Sequence, residues 1–157
     1  MERVKSVKEL GETLIVAMGS ALQEECWVIG LSTQMQVLLM KRVALGTVDG
    51  VSVHPRDIFR DLVAVNAYGF VLAHNHPSGI LTLSESDERF KVQLEICSKL
   101  MQYHFFDFIV VTKQSFLSQR ALGKMPKVSL TDIFKPYLSS NKFKPPNTKI
   151  WPRSKVR

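Results

Sequence analysis

The sequence predicts an α/β fold, in which helices pack on a mixed β-sheet and a basic C-terminal tail follows. Two segments carry apolar residues at gaps of three and four, which is typical of amphipathic helices. Short runs of apolar and β-branched residues lie between the helical segments, and this alternation indicates a sheet covered by helices. Two consecutive runs are joined through Ser32-Thr33-Gln34, so we expect a hairpin within the sheet. A chain of 157 residues with 45% apolar residues is long enough for one hydrophobic core.

The first half of the chain is predicted to hold two helices and the hairpin. The first helix spans residues 7–22, because Ser6 is suited to the N-cap and Glu9 follows three residues later in a capping-box pattern. The other predicted elements of this half are strands at 26–31 and 36–45, a loop at 46–50, a short strand at 51–53, and a second helix that starts at His54-Pro55.

The second half is predicted to hold a strand, a long helix and a further strand. A strand at residues 69–73 ends near the turn-forming Pro77-Ser78-Gly79. A helix at 84–101 has an apolar stripe at helical spacing, and we expect His104 to lie at a helix end. The stripe consists of Phe90, Leu94, Cys97 and Met101. A strand at 105–111 and a short one at 115–117 complete the domain.

The composition changes near residue 124, which predicts a domain at 1–123 and a tail at 124–157. The tail holds nine basic residues and one acidic residue, a net charge of +8, whereas residues 1–123 have a net charge of −1. Five of the seven prolines also lie there, so beyond a short helix at 130–137 the tail is expected to be extended or partly disordered. Its aromatic residues could stack on nucleic-acid bases while its lysines and arginines contact phosphates, or the tail could be a solubilising extension. These aromatic residues are Phe134, Tyr137, Phe143 and Trp151.

Several classes of protein do not fit the sequence. No run approaches the roughly 18 to 20 apolar residues of a membrane span, and the N-terminus has no apolar block of a signal peptide. Cys26 and Cys97 are too few for a disulfide framework, and a strand cysteine such as Cys26 is usually an inert, buried thiol. These features lead us to expect a cytoplasmic protein.

A cluster of polar residues around the predicted strand 69–73 points to a metal. His74 and His76 are two residues apart, so on an extended chain both imidazoles face the same point. Asp87 lies in the first turn of the predicted helix and can lean back toward them. Two histidines and one carboxylate form a three-ligand set that leaves a fourth zinc position open. The alternative is a polar turn with solvated imidazoles and an acidic residue that favours the helix dipole.

The same residues resemble a known signature. His74-x-His76, seven residues, Ser84, two residues and Asp87 are similar to the zinc motif of the JAMM (MPN) metalloprotease superfamily. The sequences of residues 53–60 and 73–79 are similar to those of the RadC family within this superfamily. The resemblance covers residues 25–123. The resemblance implies a cytidine-deaminase-like fold, a Zn²⁺ cofactor, and a peptide or protein substrate whose amide carbonyl is attacked by metal-bound water. It also carries a traditional association with DNA repair.

The resemblance further implies two catalytic residues. Ser84 would stabilise the oxyanion that forms during attack, although Ser84 also suits the N-cap of the helix. A glutamate at the start of an early strand would be the base, and the match to the family favours Glu25, with Glu24 as the alternative. The sequence departs from the RadC pattern at Phe108, where that pattern usually has histidine, and at residues 80–83. These departures spare the metal ligands but leave the substrate groove and any RadC-specific partner open. Whether turnover is retained is a separate open question, and a scaffold that keeps the fold without turnover is the alternative.

Overall fold

A computed structural model of the protein describes residues 2–46 and 53–138. Within them the elements run in the order α1 (Val7–Met18), β1 (Glu25–Leu31), β2 (Val37–Leu45), α2 (Pro55–Ala64), β3 (Gly69–Asn75), α3 (Glu85–Met101), β4 (His104–Val111), β5 (Phe116–Ser118) and α4 (Leu130–Leu138). The chain divides into two compact units, Met1–Lys127 and Val128–Arg157. The first unit contains α1 to β5, and the second contains α4. The predicted division after residue 123 stays a prediction, and the predicted extended tail falls largely on residues 139–157, outside the described part.

The five strands form one mixed sheet in the order β2-β1-β3-β4-β5. The neighbours β3 and β4 are parallel, and α3 connects them. The other three pairs are antiparallel, including the predicted β1–β2 hairpin. The mixed-sheet α/β prediction is therefore confirmed.

Each face of the sheet has its own hydrophobic cluster, because successive strand residues point to opposite faces. On one face, α1 contributes Leu10, Leu14 and Met18, which pack with residues such as Ile29 and Val71. On the other face, α2 and α3 contribute Ile58, Leu62 and Leu94 to a cluster with Leu72 and Phe108. We call these the α1 face and the α3 face. The ends of β1 and β3 on the α3 face carry the residues of interest.

Three sequence-based boundaries differ from the structure. Helix α1 ends at Met18 and not at residue 22. Leu22 fits the apolar spacing of the helix, but its side chain is 95% exposed and does not pack in the core. His104 begins β4 and does not end a helix, because α3 stops at Met101 and Gln102 takes a left-handed conformation with φ 60°. The predicted strand at 51–53 and the predicted loop at 46–50 lie mostly outside the described residues.

The buried stripe of α3 is more polar than the apolar pattern predicts. Leu94 is buried as expected, but Met101 is 45% exposed, whereas Lys91 is buried. The Lys91 ammonium donates to Gln119 Oε1 at 3.1 Å and lies 2.8 Å from Glu88 Oε2. A charge is tolerated at such a position because both partners satisfy it.

Candidate metal centre

Strand β3 carries the two histidines to the end of the sheet. The strand is buried along its whole length between β1 and β4, and His74 lies opposite Cys26 of β1. His76 follows the strand, and its backbone N–H donates to the Val111 carbonyl of β4 at 2.8 Å. The two imidazole rings lie edge to face, with centroids 4.9 Å apart. The predicted convergence of the two side chains is present.

Backbone carbonyls set the tautomer of both histidines. His74 Nδ1 is 3.0 Å from the Glu25 carbonyl, and His76 Nδ1 is 2.6 Å from the Ile80 carbonyl. A carbonyl oxygen only accepts hydrogen bonds, so each Nδ1 must be the donor and each neutral ring keeps its lone pair on Nε2. Such a hydrogen bond on the remote nitrogen is how metal-binding histidines are usually oriented.

Asp87 faces both histidines from the first turn of α3. Its Oδ1 is 3.7 Å from His74 Nε2, and its Oδ2 is 3.5 Å from His76 Nε2. Burial would raise the pKa of Asp87, but the hydrogen bonds from His76 and Ser84 outweigh it, and the pKa falls well below its usual range. Asp87 is therefore ionised at neutral pH, as a carboxylate ligand must be.

The two histidines respond differently to their surroundings. Burial lowers the pKa of His74 despite the nearby charge of Asp87. The hydrogen bond to Asp87 raises the pKa of the less buried His76. His74 therefore favours its neutral form, whereas His76 binds a proton more readily than a free imidazole.

The early strand brings Glu24, and not Glu25, to the histidines. Glu24 Oε2 is 3.7 Å from His74 Nε2, and single ligand atoms of Glu24, His74 and His76 all lie within 4.8 Å of one another. Glu25 is buried on the α1 face, where its Oε2 accepts from Trp27 Nε1 at 2.7 Å and its Oε1 lies 2.8 Å from Arg42 Nη1. Glu25, which the sequence analysis favoured as the base, faces away from the histidines, because the alternation of β1 puts the alternative, Glu24, on the side of Cys26. The role of either residue as the base stays a prediction.

Ser84 is the N-cap of α3. Its hydroxyl donates to Asp87 Oδ2 at 2.6 Å and accepts from the Asp87 N–H at 3.2 Å, while the Ser84 N–H donates to Asp87 Oδ2 at 3.0 Å. This reciprocal capping box holds the Asp87 carboxylate toward the histidines. The capping alternative for Ser84 is thus observed, and its oxyanion role stays a prediction.

Asn75 is a structural residue of the site that the sequence analysis missed. Its side-chain oxygen accepts from the Glu25 N–H at 2.5 Å, and its amide donates to the Gln23 carbonyl at 3.1 Å. These bonds fix the backbone on which Glu24 and the His74-binding carbonyl lie. The available signal was an asparagine between two histidines at the end of an apolar strand, since an amide that is buried there must find partners.

The donor set fits a zinc ion. Neighbouring ligands around a tetrahedral zinc, at bond lengths of about 2.0–2.1 Å, stand about 3.3 Å apart. The observed separations of 3.5 Å and 3.7 Å between the Nε2 atoms and the carboxylate oxygens are a few tenths longer. The Nε2 atoms of two histidines and one or two carboxylates therefore meet at a spacing that a small dication can close once both rings are neutral.

A cleft of about 540 Å³ opens beside His74 and Asp87. Its inner wall is apolar and includes Leu72 and Phe108 of the sheet together with Phe90 of α3. Its volume is in the range of roughly 300–1,000 Å³ that is common for ligand-binding pockets. The candidate ligands His74 and Asp87 therefore lie at one end of a space large enough for a substrate.

Comparisons with known proteins give a family match and several relatives. The family model described as "RadC-like JAB domain" matches residues 4–124. A "UPF0758 protein" of Latilactobacillus sakei subsp. sakei (strain 23K) is 32% identical over 120 residues, which are 76% of this chain and 54% of the relative. A "UPF0758 protein" of Chlorobium luteolum (strain DSM 273 / BCRC 81028 / 2530) is 31% identical over 118 residues, 75% of this chain and 53% of the relative.

The chain spans about half the length of these curated relatives, and their names state no activity. Among the residues that the structure describes, no helix has the length and apolar character needed to cross a membrane.

Proposed function

The chain belongs to the RadC-like JAB domain family, and from this premise we propose that it is a zinc-dependent hydrolase of amide bonds in peptides or isopeptides. The observation that carries the proposal is the convergence of His74 Nε2, His76 Nε2 and the Asp87 carboxylate at the end of β3. In its neutral form each ring offers the Nε2 lone pair toward this point, because both remote nitrogens donate to carbonyls. Asp87 also caps α3, but capping alone does not explain why two buried imidazoles, which are costly to desolvate, converge on the same carboxylate.

In this proposal His74, His76 and Asp87 hold the metal. Bound zinc would supply a Lewis acid and an activated water at its open fourth position. The capping box keeps Asp87 in place, so the ligand set is organised before the metal binds.

Glu24 is the proposed general base. Its half-buried carboxylate lies on the metal side of β1, 3.7 Å from His74 Nε2. Glu24 takes a proton from water as the water oxygen bonds to the amide carbon, and gives it to the leaving nitrogen when the C–N bond breaks. Glu25 is unsuited to this step, because both of its oxygens are engaged by Trp27 and Arg42.

Ser84 is proposed to donate to the oxyanion. A hydroxyl has one donor and two acceptor sites, so Ser84 can keep accepting from the Asp87 N–H while its proton turns from Asp87 Oδ2 to the substrate. The capping role and the catalytic role are then compatible.

A thiol hydrolase is the natural competing class, since Cys26 lines the same cleft. Burial and the nearby charge of Asp87 raise the pKa of Cys26 well above the usual range of a thiol. Cys26 is therefore a protonated, weak nucleophile at neutral pH.

The first experiment measures zinc and hydrolysis together. We expect protein purified without chelators to contain about one zinc per chain by elemental analysis and to cleave members of a peptide mixture, as followed by mass spectrometry. A chelator should stop cleavage and added zinc should restore it. His76→Ala should lose both properties, whereas His104→Ala, which changes an exposed histidine at the start of β4, should retain both.

Two results would contradict the proposal in different ways. Zinc in His76→Ala at the wild-type level would refute the ligand assignment. Zinc in the wild type without cleavage of any peptide or isopeptide would indicate a metal-binding scaffold that lacks turnover.

We propose nucleic-acid binding through the C-terminal region as a second function. The support is the net charge of +8 over residues 124–157 and Phe134 of α4, which is 44% exposed. Binding of labelled single-stranded DNA should weaken steeply with salt and disappear when residues 128–157 are removed. Equal binding by the truncated protein would exclude the tail as the binding segment.

A further inference from the structure

The cleft beside the metal centre extends along one side of α3. Asp87 lies at its metal end and Gln93 lines it further along the helix. Six residues of α-helix correspond to about 9 Å, which is the length of two to three residues of extended chain. A peptide that reaches the metal would therefore place a neighbouring residue against this part of α3.

The inner wall of the cleft favours an apolar side chain. Leu72 and Phe108 are buried members of the α3-face cluster, and the partly buried Phe90 packs against the same cluster. Leu72 and Phe108 are already shielded from water, whereas Phe90 is partly exposed. A substrate residue that covers Phe90 therefore removes apolar surface from water, which favours binding of a large aliphatic or aromatic residue.

The outer lip of the cleft is polar and carries one cation. Ser86, Arg89 and Gln93 follow one another at gaps of three and four along α3, and all three are exposed. Among the described residues that line the cleft, Arg89 is the only lysine or arginine.

The Arg89 guanidinium is held only weakly by what the structure describes around it. It lies 3.4 Å from Glu85, but the two side chains are 69% and 91% exposed. Exposed pairs of this kind contribute little to stability, so the guanidinium can exchange Glu85 for a substrate carboxylate with two parallel hydrogen bonds.

We propose that this cleft selects substrates in which a bulky apolar residue is directly adjacent to an acidic residue, close to the scissile amide. Arg89 and Phe90 are consecutive on α3, so the group that binds the carboxylate and the surface that binds the apolar side chain are neighbours. The inference rests on the proposed function for the position of the scissile bond, whereas the binding preference follows from the cleft alone.

The test measures binding of matched peptides to the zinc-loaded, full-length protein by fluorescence anisotropy. Labelled eight-residue peptides carry Leu-Glu or Glu-Leu at the centre of a glycine-serine sequence, and the controls replace Leu by Ser or Glu by Gln or Lys. We expect the better Leu-Glu or Glu-Leu peptide to bind at least about tenfold more tightly than its Ser control, because a leucine side chain is buried. It should also bind more tightly than its Gln and Lys controls.

Two pairs of variants locate the preference. Arg89→Gln should remove the discrimination between Glu and Gln peptides, and Arg60→Gln should retain it. Arg60 is the matched control, because its side chain is 67% exposed and lies 3.5 Å from Asp57 on α2, much as Arg89 lies beside Glu85. Gln93→Trp fills the cleft from an exposed position, so it should weaken all apolar peptides while zinc content stays unchanged; Gln93→Ala should not weaken them.

The outcomes separate this inference from the proposed hydrolase activity. Selective binding without cleavage supports the cleft and refutes the hydrolase. Cleavage of all peptides at similar rates with no difference in binding supports the hydrolase and overturns the selectivity. Tighter binding of the Lys peptide, equal effects of Arg89→Gln and Arg60→Gln, or no saturable binding of any Leu peptide would also overturn the selectivity.

Discussion

The two faces of the sheet differ most at the end where β1 and β3 meet. On the α3 face, His74 and the Glu24 that precedes β1 turn toward the metal centre and the cleft. On the α1 face, the next residue of each strand has a structural role, since Asn75 fixes the Gln23–Glu25 backbone and Glu25 pairs with Trp27 and Arg42. Residues of the proposed centre and structural residues thus alternate along the same two strands.

At this end of the sheet, the residues of the proposed centre are held in place by their neighbours in sequence. The acidic and imidazole groups of the centre need fixed positions, and their immediate neighbours in sequence provide the hydrogen bonds that hold the backbone. Asn75 is covalently next to His74, so its bonds to β1 fix both the Glu24 side and the carbonyl that orients His74. Substitutions on the α3 face should therefore change chemistry, and those on the α1 face should change stability.

The largest difference in kcat is expected between the variants Glu24→Gln and Glu25→Gln. Removing a general base costs roughly 10²–10⁴-fold in rate, so Glu24→Gln should lower kcat by that factor while it retains zinc. Glu25→Gln should leave kcat close to the wild-type value, because Glu25 points away from the centre. Steady-state kinetics and zinc analysis of both variants test the comparison.

Two results for these variants would contradict the assignment of Glu24 as the base. A large fall in kcat for Glu25→Gln with normal stability would restore Glu25 as the base. Loss of zinc in Glu24→Gln would make Glu24 a ligand, consistent with its grouping near His74 and His76, and would leave the base unassigned.

Ser84→Ala should have the next largest effect, and Ser6→Ala is its matched control. Both serines cap a helix by accepting a backbone N–H three residues later, at 3.2 Å for Ser84 and 3.1 Å for Ser6. Each variant should lose about 1 kcal/mol of stability. Only Ser84→Ala should also lower kcat, by roughly 10²-fold or more, because it removes an oxyanion donor.

Kinetics and denaturant unfolding of the two serine variants distinguish a cap from a catalytic group. A Ser84→Ala protein that loses stability as Ser6→Ala does, yet keeps its kcat, would show that Ser84 acts on α3 and Asp87 alone.

Asn75→Ala should affect stability more than chemistry. It leaves the Glu25 N–H and the Gln23 carbonyl without their partner, and unsatisfied buried groups cost about 1–3 kcal/mol each. Asn75→Asp keeps the acceptor for Glu25 and should be the milder change in the zinc-bound protein. Denaturant unfolding and zinc titration measure the two effects; unchanged stability in Asn75→Ala would mean that water replaces the amide.

Local patterns were enough to predict that His74, His76 and Asp87 converge, because the three residues lie within a short stretch. The spacing of His74 and His76 on a strand, and Asp87 in the following first turn, depends only on the periods of strand and helix. The hairpin and the mixed sheet were predicted for the same reason. Local patterns could not predict whether Glu24 or Glu25 faces the histidines. That depends on the pairing of β1 with β3, in which Cys26 lies opposite His74.

The buried polar residues show a second limit of prediction from the sequence. Lys91 is buried because Gln119, 28 residues later, accepts from its ammonium, and no local pattern links the two. Asn75 likewise depends on Glu25 and Gln23, which lie 50 and 52 residues earlier. Apolar periodicity therefore predicted the elements, whereas long-range hydrogen bonds decided which polar side chains they bury.

The smallest effects are expected from Lys41→Ala and Arg42→Ala, two adjacent residues of β2 that point to opposite faces. Lys41 lies 3.0 Å from Asp61 of α2, and Arg42 lies 2.8 Å from Glu25; both basic side chains are 49% exposed, and both acidic partners are mostly buried. Partly exposed pairs contribute only about 0–1 kcal/mol, so each variant should lose less than about 1 kcal/mol in denaturant unfolding. Neither pair contacts the centre, so zinc content and kcat should not change. If Arg42→Ala alone lowered kcat, the freed Glu25 would be taking part in the reaction, and the division between a reactive and a structural face would no longer hold at β1.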